Sequence, residues 1–179
     1  MSIASESIRR YSRFFKKQAA WNVLDYGTGT MRNAVYLSKQ GFRVHAADLP
    51  EQLEKLAGCP ALQYIEQLLA VDELRESDLK VDLVLSTYVF NIIMSKLERQ
   101  HYVENVAANL RTGGYLLMEV RCPRLDERCG PACKDYFSCS DCSKTLTHDE
   151  LDMLLNPFGL QRISHYYRDH AVAAIYQKS

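Results

Sequence analysis

The run from Trp21 to Asp48 leaves this chain little freedom in how it folds. WNVLDYG is a short apolar strand ending in a turn. MRNAVYLSKQ is a helical run closed by Gly41, where a helix commonly passes into the left-handed conformation, and FRVHAAD is a second strand. Strand, helix and strand within fewer than thirty residues imply a right-handed crossover and a parallel pair.

The pattern repeats downstream. EQLEKLAG is helical, a weak strand is expected near LQYIEQL, DELRES is a polar connection, and VDLVLSTYVF is a buried strand. Ser95 and Glu98 have capping-box spacing ahead of the helix KLERQHYVENVAANL, which RTGG ends; YLLMEV is a fifth apolar strand. Thr147 and Glu150 repeat the capping box before HDELDMLLNPFG. LQRISHYYRD and HAVAAIYQK follow so closely on one another that they must pair antiparallel, since parallel strands need a long crossover. The expected fold is α/β, a Rossmann-like, doubly wound and mostly parallel sheet with a C-terminal antiparallel hairpin and a cysteine-rich insert after the fifth strand.

A chain of 179 residues is long enough for one core, and residues 1–179 are read as a single domain. Its first 20 residues form a basic amphipathic helix, with Ile8, Tyr11, Phe14 and Phe15 on the apolar stripe. Twenty-two basic residues balance twenty-two acidic ones, so net charge supports neither nucleic acid nor membrane as a partner without excluding nucleic acid. No segment has the apolar length of a membrane span or a signal peptide, and a cytoplasmic location is expected.

The strongest chemical signal is LDYGTGTMRN, running from the first strand into the first crossover helix. Gly27 and Gly29 allow a tight turn and close approach of backbone to a ligand. Asp48 ends the second strand, nineteen residues after Gly29, placed to accept hydrogen bonds from ribose hydroxyls. A dinucleotide fingerprint would need glycine at position 32, where Arg32 stands, and no P-loop sequence is present.

In VLDYGTGTMRNAVYLSKQGFRVHAAD, in the order of its elements and in the terminal hairpin, the chain resembles the class I S-adenosylmethionine-dependent methyltransferases. The resemblance implies that Asp25, Gly27 and Gly29 hold the amino-acid part of that cofactor. It places Asp48 on the ribose, Leu49 beside the adenine, and Thr87 at the methionine end. Tyr88 and Asn91, in STYVFN, are the candidate catalytic residues; Asn91 would orient an acceptor amine or hydroxyl, or else cap a helix, and Tyr88 would otherwise be a core aromatic. Met31 stands where the family's motif frequently has its last glycine, so its side chain either narrows the pocket or packs inward. Of the histidines, His101 is read as a surface residue, and no spacing joins His45, His165 and His170 into a site.

CGPACKDYFSCSDC places Cys129, Cys133, Cys139 and Cys142 within fourteen residues. Four thiolates suit a closed tetrahedral zinc site, and residues 122–146 are read as a zinc-binding insert. An iron-sulfur cluster and a Cys139–Cys142 redox pair are the rivals. Cys59 is read as a core residue. The implied acceptor is a small molecule or a carrier-bound metabolite, with the insert as a substrate lid or a surface for a protein partner. The competing reading is a degenerate methyltransferase fold kept as a binding module, docking protein or nucleic acid through the cysteine knuckle and the basic helix.

Overall fold

The computed structural model describes residues 3–122 and 145–179. Seven strands form one sheet in the order β3-β2-β1-β4-β5-β7-β6. They are β1 (Asn22–Tyr26), β2 (Arg43–Asp48), β3 (Gln67–Ala70), β4 (Val81–Thr87), β5 (Leu110–Arg121), β6 (Leu160–Arg168) and β7 (Ala171–Lys178). The first five are parallel, and β7 runs antiparallel between β5 and β6. The helices are α1 (Glu6–Lys17), α2 (Arg32–Lys39), α3 (Pro50–Leu56), α4 (Leu74–Ser77), α5 (Lys96–Asn109) and α6 (His148–Leu155). This is the expected Rossmann-like sheet with its terminal hairpin.

Alternation along the strands divides the core in two, because successive side chains leave a strand on opposite faces. Leu24, Val84, Leu116, Met118 and Val120 pack with Tyr102, Val103 and Val106 of α5 and with Leu151 and Leu155 of α6. Val23, Leu83, Leu85, Tyr115 and Leu117 pack on the other face with Ile8 and Phe15 of α1 and with Ala34, Val35 and Leu37 of α2. The apolar stripe of α1 lies on the sheet, and its basic residues are not all simply solvated. The Arg10 guanidinium sits 4.4 Å from the centre of the Tyr166 ring, and Lys16 donates to Gln40.

Three local expectations are corrected. Pro60–Tyr64 is a 3-10 turn and pairing with β2 begins only at Gln67, so the strand expected near LQYIEQL lies later in the chain. DELRES contains the one-turn helix α4. RTGG lies inside β5, because α5 passes directly into a strand whose register shifts between Val81 and Leu83 of its neighbour. Gly113 takes φ +75 there, and a Cβ on Gly114 would stand 2.9 Å from the Arg111 carbonyl oxygen. These glycines serve a bulge.

The two capping boxes are unequal. At Thr147 both halves form, the hydroxyl accepting the Glu150 N–H at 3.3 Å and the Glu150 carboxylate accepting the Thr147 N–H at 2.7 Å. Ser95 accepts the Glu98 N–H at 3.4 Å. Thr147→Ala should cost about 1 kcal/mol, and Ser95→Ala less, measured as the difference in urea unfolding free energy.

His165 stacks on His148 with ring centres 4.0 Å apart, a pairing that sequence spacing does not reveal. His101 is exposed and Cys59 half-buried at the core's edge. Cys122 and Leu146 bracket the cysteine-rich segment. The Leu146 N–H donates to the Arg121 carbonyl at 2.8 Å, and the Cys122 N–H donates to that of His170 at 2.8 Å. Cys129, Cys133, Cys139 and Cys142 lie outside the described residues, as does most of the 122–146 insert.

Candidate active site

Strand order reverses direction at β1, which lies between β2 and β4, and ligands of open α/β sheets bind at the strand ends beside such a reversal. The turn after β1 is tied to β2. The N–H groups of Gly27 and Thr28 both donate to the Ala47 carbonyl, at 2.8 and 3.1 Å, and the Met31 N–H donates to the Thr28 carbonyl at 2.8 Å. Asp48 closes the turn from the other side, its Oδ2 accepting the Gly29 N–H at 2.7 Å and its Oδ1 the Leu49 N–H at 2.8 Å. Each of these oxygens keeps a lone pair for a further donor.

The two glycines serve different ends. A Cβ on Gly27 would meet Val89, whereas a Cβ on Gly29 would meet nothing within 4 Å, so the turn opens outward at Gly29. Leu49, 56% exposed at the end of β2, offers an apolar face beside the Asp48 carboxylate. An open glycine turn, a carboxylate with free lone pairs and a bare leucine next to it fit a nucleoside with its ribose on Asp48.

Met31 settles its two alternatives by packing inward. It is fully buried among Ala34, Val35 and Leu37, at φ +60. That left-handed backbone is what a glycine would adopt at little cost, and the inward side chain leaves the turn clear.

Asp25 is 1% exposed, and its Oδ2 accepts the Thr28 hydroxyl at 2.9 Å. Burial, reinforced by the nearby Asp48 charge and opposed by the Thr28 hydrogen bond, pushes its pKa up to about 6. Since the folded value exceeds the unfolded one, the folded state holds more protons between the ordinary 3.8 and about 6. Stability therefore falls as pH rises through this window, by roughly 3 kcal/mol in all. Asp25→Asn should remove that slope. Urea unfolding at pH 4 and pH 8 should find its stability relative to the wild type greater at the higher pH.

At the end of β4, the Asn33 Nδ2 donates to Thr87 Oγ1 at 2.9 Å, while Asn33 Oδ1 accepts the Ser5 N–H at 2.9 Å. Thr87 is thereby linked to the start of both α1 and α2. Tyr88 follows at φ +61, a left-handed conformation that is costly for an aromatic residue and is characteristic of functional sites. Its N–H donates to the Glu119 carbonyl at 2.8 Å and its hydroxyl to Glu119 Oε1 at 2.9 Å. Asn91 is buried, and its Oδ1 accepts the Arg121 N–H at 2.9 Å, tying the loop after β4 to the end of β5.

Tyr88 opens onto a cavity of about 460 Å3 whose lining includes Arg9, Arg32, Glu119, Tyr166 and Arg168. The structure thus brings Asp25, Gly27, Gly29, Asp48 and Leu49 together at the turn and sets Thr87 and Tyr88 between the turn and the cavity, while Asn91 is not among the cavity's lining residues. Glu119, 6% exposed, accepts the Ser7 hydroxyl on Oε2 at 2.6 Å in addition to Tyr88 on Oε1. Burial, and then the Glu119 carboxylate, push the Tyr88 phenol well above its ordinary value, and the Tyr166 phenol is pushed up to about 12 for the same two reasons. Both phenols keep their protons at neutral pH.

Glu119 was not singled out in the sequence. The available signal was an acid at the end of the apolar run YLLMEV, and an ionisable group on a buried strand face is more informative than its apolar neighbours.

A methyltransferase domain family matches residues 3–177. No curated protein matches the chain by sequence. Among solved structures, human N-acetylserotonin methyltransferase in complex with S-adenosylmethionine is 16% identical with a TM-score of 0.75, covering 97% of this chain and 52% of its own. The 1,6-didemethyltoxoflavin-N1-methyltransferase of Burkholderia thailandensis, with bound 1,6-didemethyltoxoflavin and S-adenosylhomocysteine, is 19% identical with a TM-score of 0.69, covering 97% and 79%. A protein described by conversion of a disulfide bond into a thioacetal group in echinomycin biosynthesis is 13% identical, with a TM-score of 0.75 and coverage of 99% and 82%. The solved structures agree in fold, and with the family match over residues 3–177 the chain belongs to the methyltransferase domain family, with the Rossmann-like class I fold.

Proposed function

We propose that this methyltransferase binds its cofactor across the β1 turn and methylates a small-molecule or carrier-bound acceptor held in the cavity beside Tyr88. The observation that carries the reading is the end of β4, where Thr87 is bonded to Asn33 at the start of α2 and Tyr88 forms part of the wall of a half-open cavity. Asp25 and the backbone at Gly27 and Gly29 hold the amino-acid end of the cofactor, Asp48 its ribose, and Leu49 flanks the adenine. Thr87 stands at the methionine end. When bound, S-adenosylmethionine supplies an electrophilic methyl group on a sulfonium sulfur. What remains for the protein is alignment and exclusion of water. Tyr88 forms a wall of the acceptor cavity, and Asn91 acts from behind it by fixing the end of β5. Calorimetric titration with S-adenosylmethionine and with S-adenosylhomocysteine should give one site per chain. Absence of heat, and of any rise in Tm, at millimolar ligand would overturn the reading.

The same proposal takes Cys129, Cys133, Cys139 and Cys142 as ligands of one zinc ion, the insert as a lid or a surface for a protein partner, and the cytoplasm as the location. Clustered cysteines in a reducing compartment favour metal over disulfide. Elemental analysis of the purified protein should find one equivalent of zinc. Iron with visible absorbance would replace it by a cluster, and neither metal would leave a redox pair.

A further inference from the structure

Glu119 is the one strongly buried acid among the residues named in the cavity wall, and the groups hydrogen-bonded to its carboxylate are neutral. Both of its hydrogen bonds come from hydroxyls, those of Ser7 and Tyr88. Among the described residues it forms no ion pair, whereas Arg168, on the same cavity, is paired with Glu6 and Asp169. An acid enclosed in this way costs desolvation free energy that neutral donors only partly offset, and a cationic partner completes it. Tyr88 and Tyr166 also line the cavity, and although the Arg10 guanidinium covers one face of the Tyr166 ring, an aromatic wall favours an ammonium group.

A second pair of residues points to the other end of the ligand. Arg9, exposed on α1, and Arg32, half-buried at the start of α2, both line the cavity and form no ion pair among the described residues. A cavity with an unpaired acid and two unpaired guanidinium groups is complementary to a molecule that carries both signs of charge. Its volume of about 460 Å3 falls within the range of small-molecule sites.

We infer that the methyl acceptor is a small amine that also carries an anionic group, with the amine on Glu119 and the anion facing Arg9 and Arg32. The inference rests on the methyltransferase reading and names the substrate class of that site. An ammonium nitrogen has no free lone pair, so Glu119 first takes one proton from it. The nitrogen lone pair then forms the N–C bond while the bond between the methyl carbon and the sulfonium sulfur breaks, its electron pair passing to sulfur. The proton on Glu119 leaves to water with product release. Tyr88, holding its own proton, keeps its hydrogen bond to Oε1 and fixes the carboxyl group in place.

The test uses the full chain saturated with S-adenosylhomocysteine and two matched sets of ligands: alanine, ethylamine and lactate, and phenylalanine, phenethylamine and phenyllactate. Calorimetry should find binding by a zwitterionic amine, with the partner lacking the anion weaker and the partner lacking the amine weakest. Glu119→Gln should weaken amine binding by at least about 10-fold while leaving S-adenosylhomocysteine affinity unchanged. With S-adenosylmethionine, the acceptor that binds should gain a single methyl on nitrogen by mass spectrometry, at a much lower rate in Glu119→Gln. Failure of every amine to bind the loaded protein would overturn the inference, as would equal binding by Glu119→Gln. Binding of ethylamine or phenethylamine as tightly as the amino acids would overturn the anionic half. Failure of S-adenosylhomocysteine itself to bind is a separate result, and overturns the underlying methyltransferase reading instead.

Discussion

Gly27→Ala is expected to lower the unfolding free energy by about 3 kcal/mol and to weaken cofactor binding with it. The added Cβ would lie 2.2 Å from Val89 Cγ2, 3.2 Å from Cγ1 and 3.3 Å from Cβ. Val89 is branched at Cβ, and all three of its side-chain carbons lie within 3.3 Å of the added atom, so there is no long flexible end to swing away. Overpacking of this kind costs about 1–3 kcal/mol, and the backbone at φ +85 adds about 1 kcal/mol for any residue with a Cβ. If the clash is the larger part, the double variant Gly27→Ala with Val89→Ala should regain part of the loss. Urea unfolding of the two variants separates the contributions, and an unchanged midpoint for Gly27→Ala would refute the assignment.

Asp48→Ala acts on the other side of the same turn with a different signature. Its carboxylate holds the Gly29 and Leu49 N–H groups, and these can turn to water at a half-buried site, so the stability cost should be about 1 kcal/mol. The cofactor, in contrast, loses two hydroxyl donors to a charged acceptor, each worth about 1.5–3 kcal/mol. Affinity for S-adenosylhomocysteine should fall by roughly 100-fold or more. Calorimetry that finds wild-type affinity in Asp48→Ala would remove Asp48 from the ribose role. Taken together, Gly27→Ala should lose stability and binding, and Asp48→Ala mostly binding.

The turn that carries both predictions was legible in the sequence because its constraint is local. Gly27 and Gly29 sit between a strand and a helix, and Asp48 ends the next strand, so crossover geometry alone brings them together. The strand near LQYIEQL was misplaced for the opposite reason. Leu62, Tyr64 and Ile65 all pack against the core, yet a 3-10 turn and a strand can expose the same few apolar residues to it. Only pairing with β2, from His45 to Gln67 onward, decides between them. RTGG was taken as a stop because adjacent glycines often end helices, whereas here they let a strand bulge. The cavity beside Tyr88 was the least legible part. Ser7 and Glu119 are separated by 112 positions, and no periodicity relates a serine near the N-terminus to an acid in the fifth strand.

The neck formed by Arg121 and Leu146 bears on how the cysteine-rich segment relates to the rest of the chain. A backbone hydrogen bond joins the two residues, and the Leu146 side chain is buried in the core beneath them. The entropy of bringing those chain ends together is thus offset by the domain itself, and lengthening a tethered segment adds only slowly to it. At this position the fold acts as a socket. A change in the length of the segment between these two residues should therefore cost the domain little stability, because its ends are held by the domain whatever lies between them.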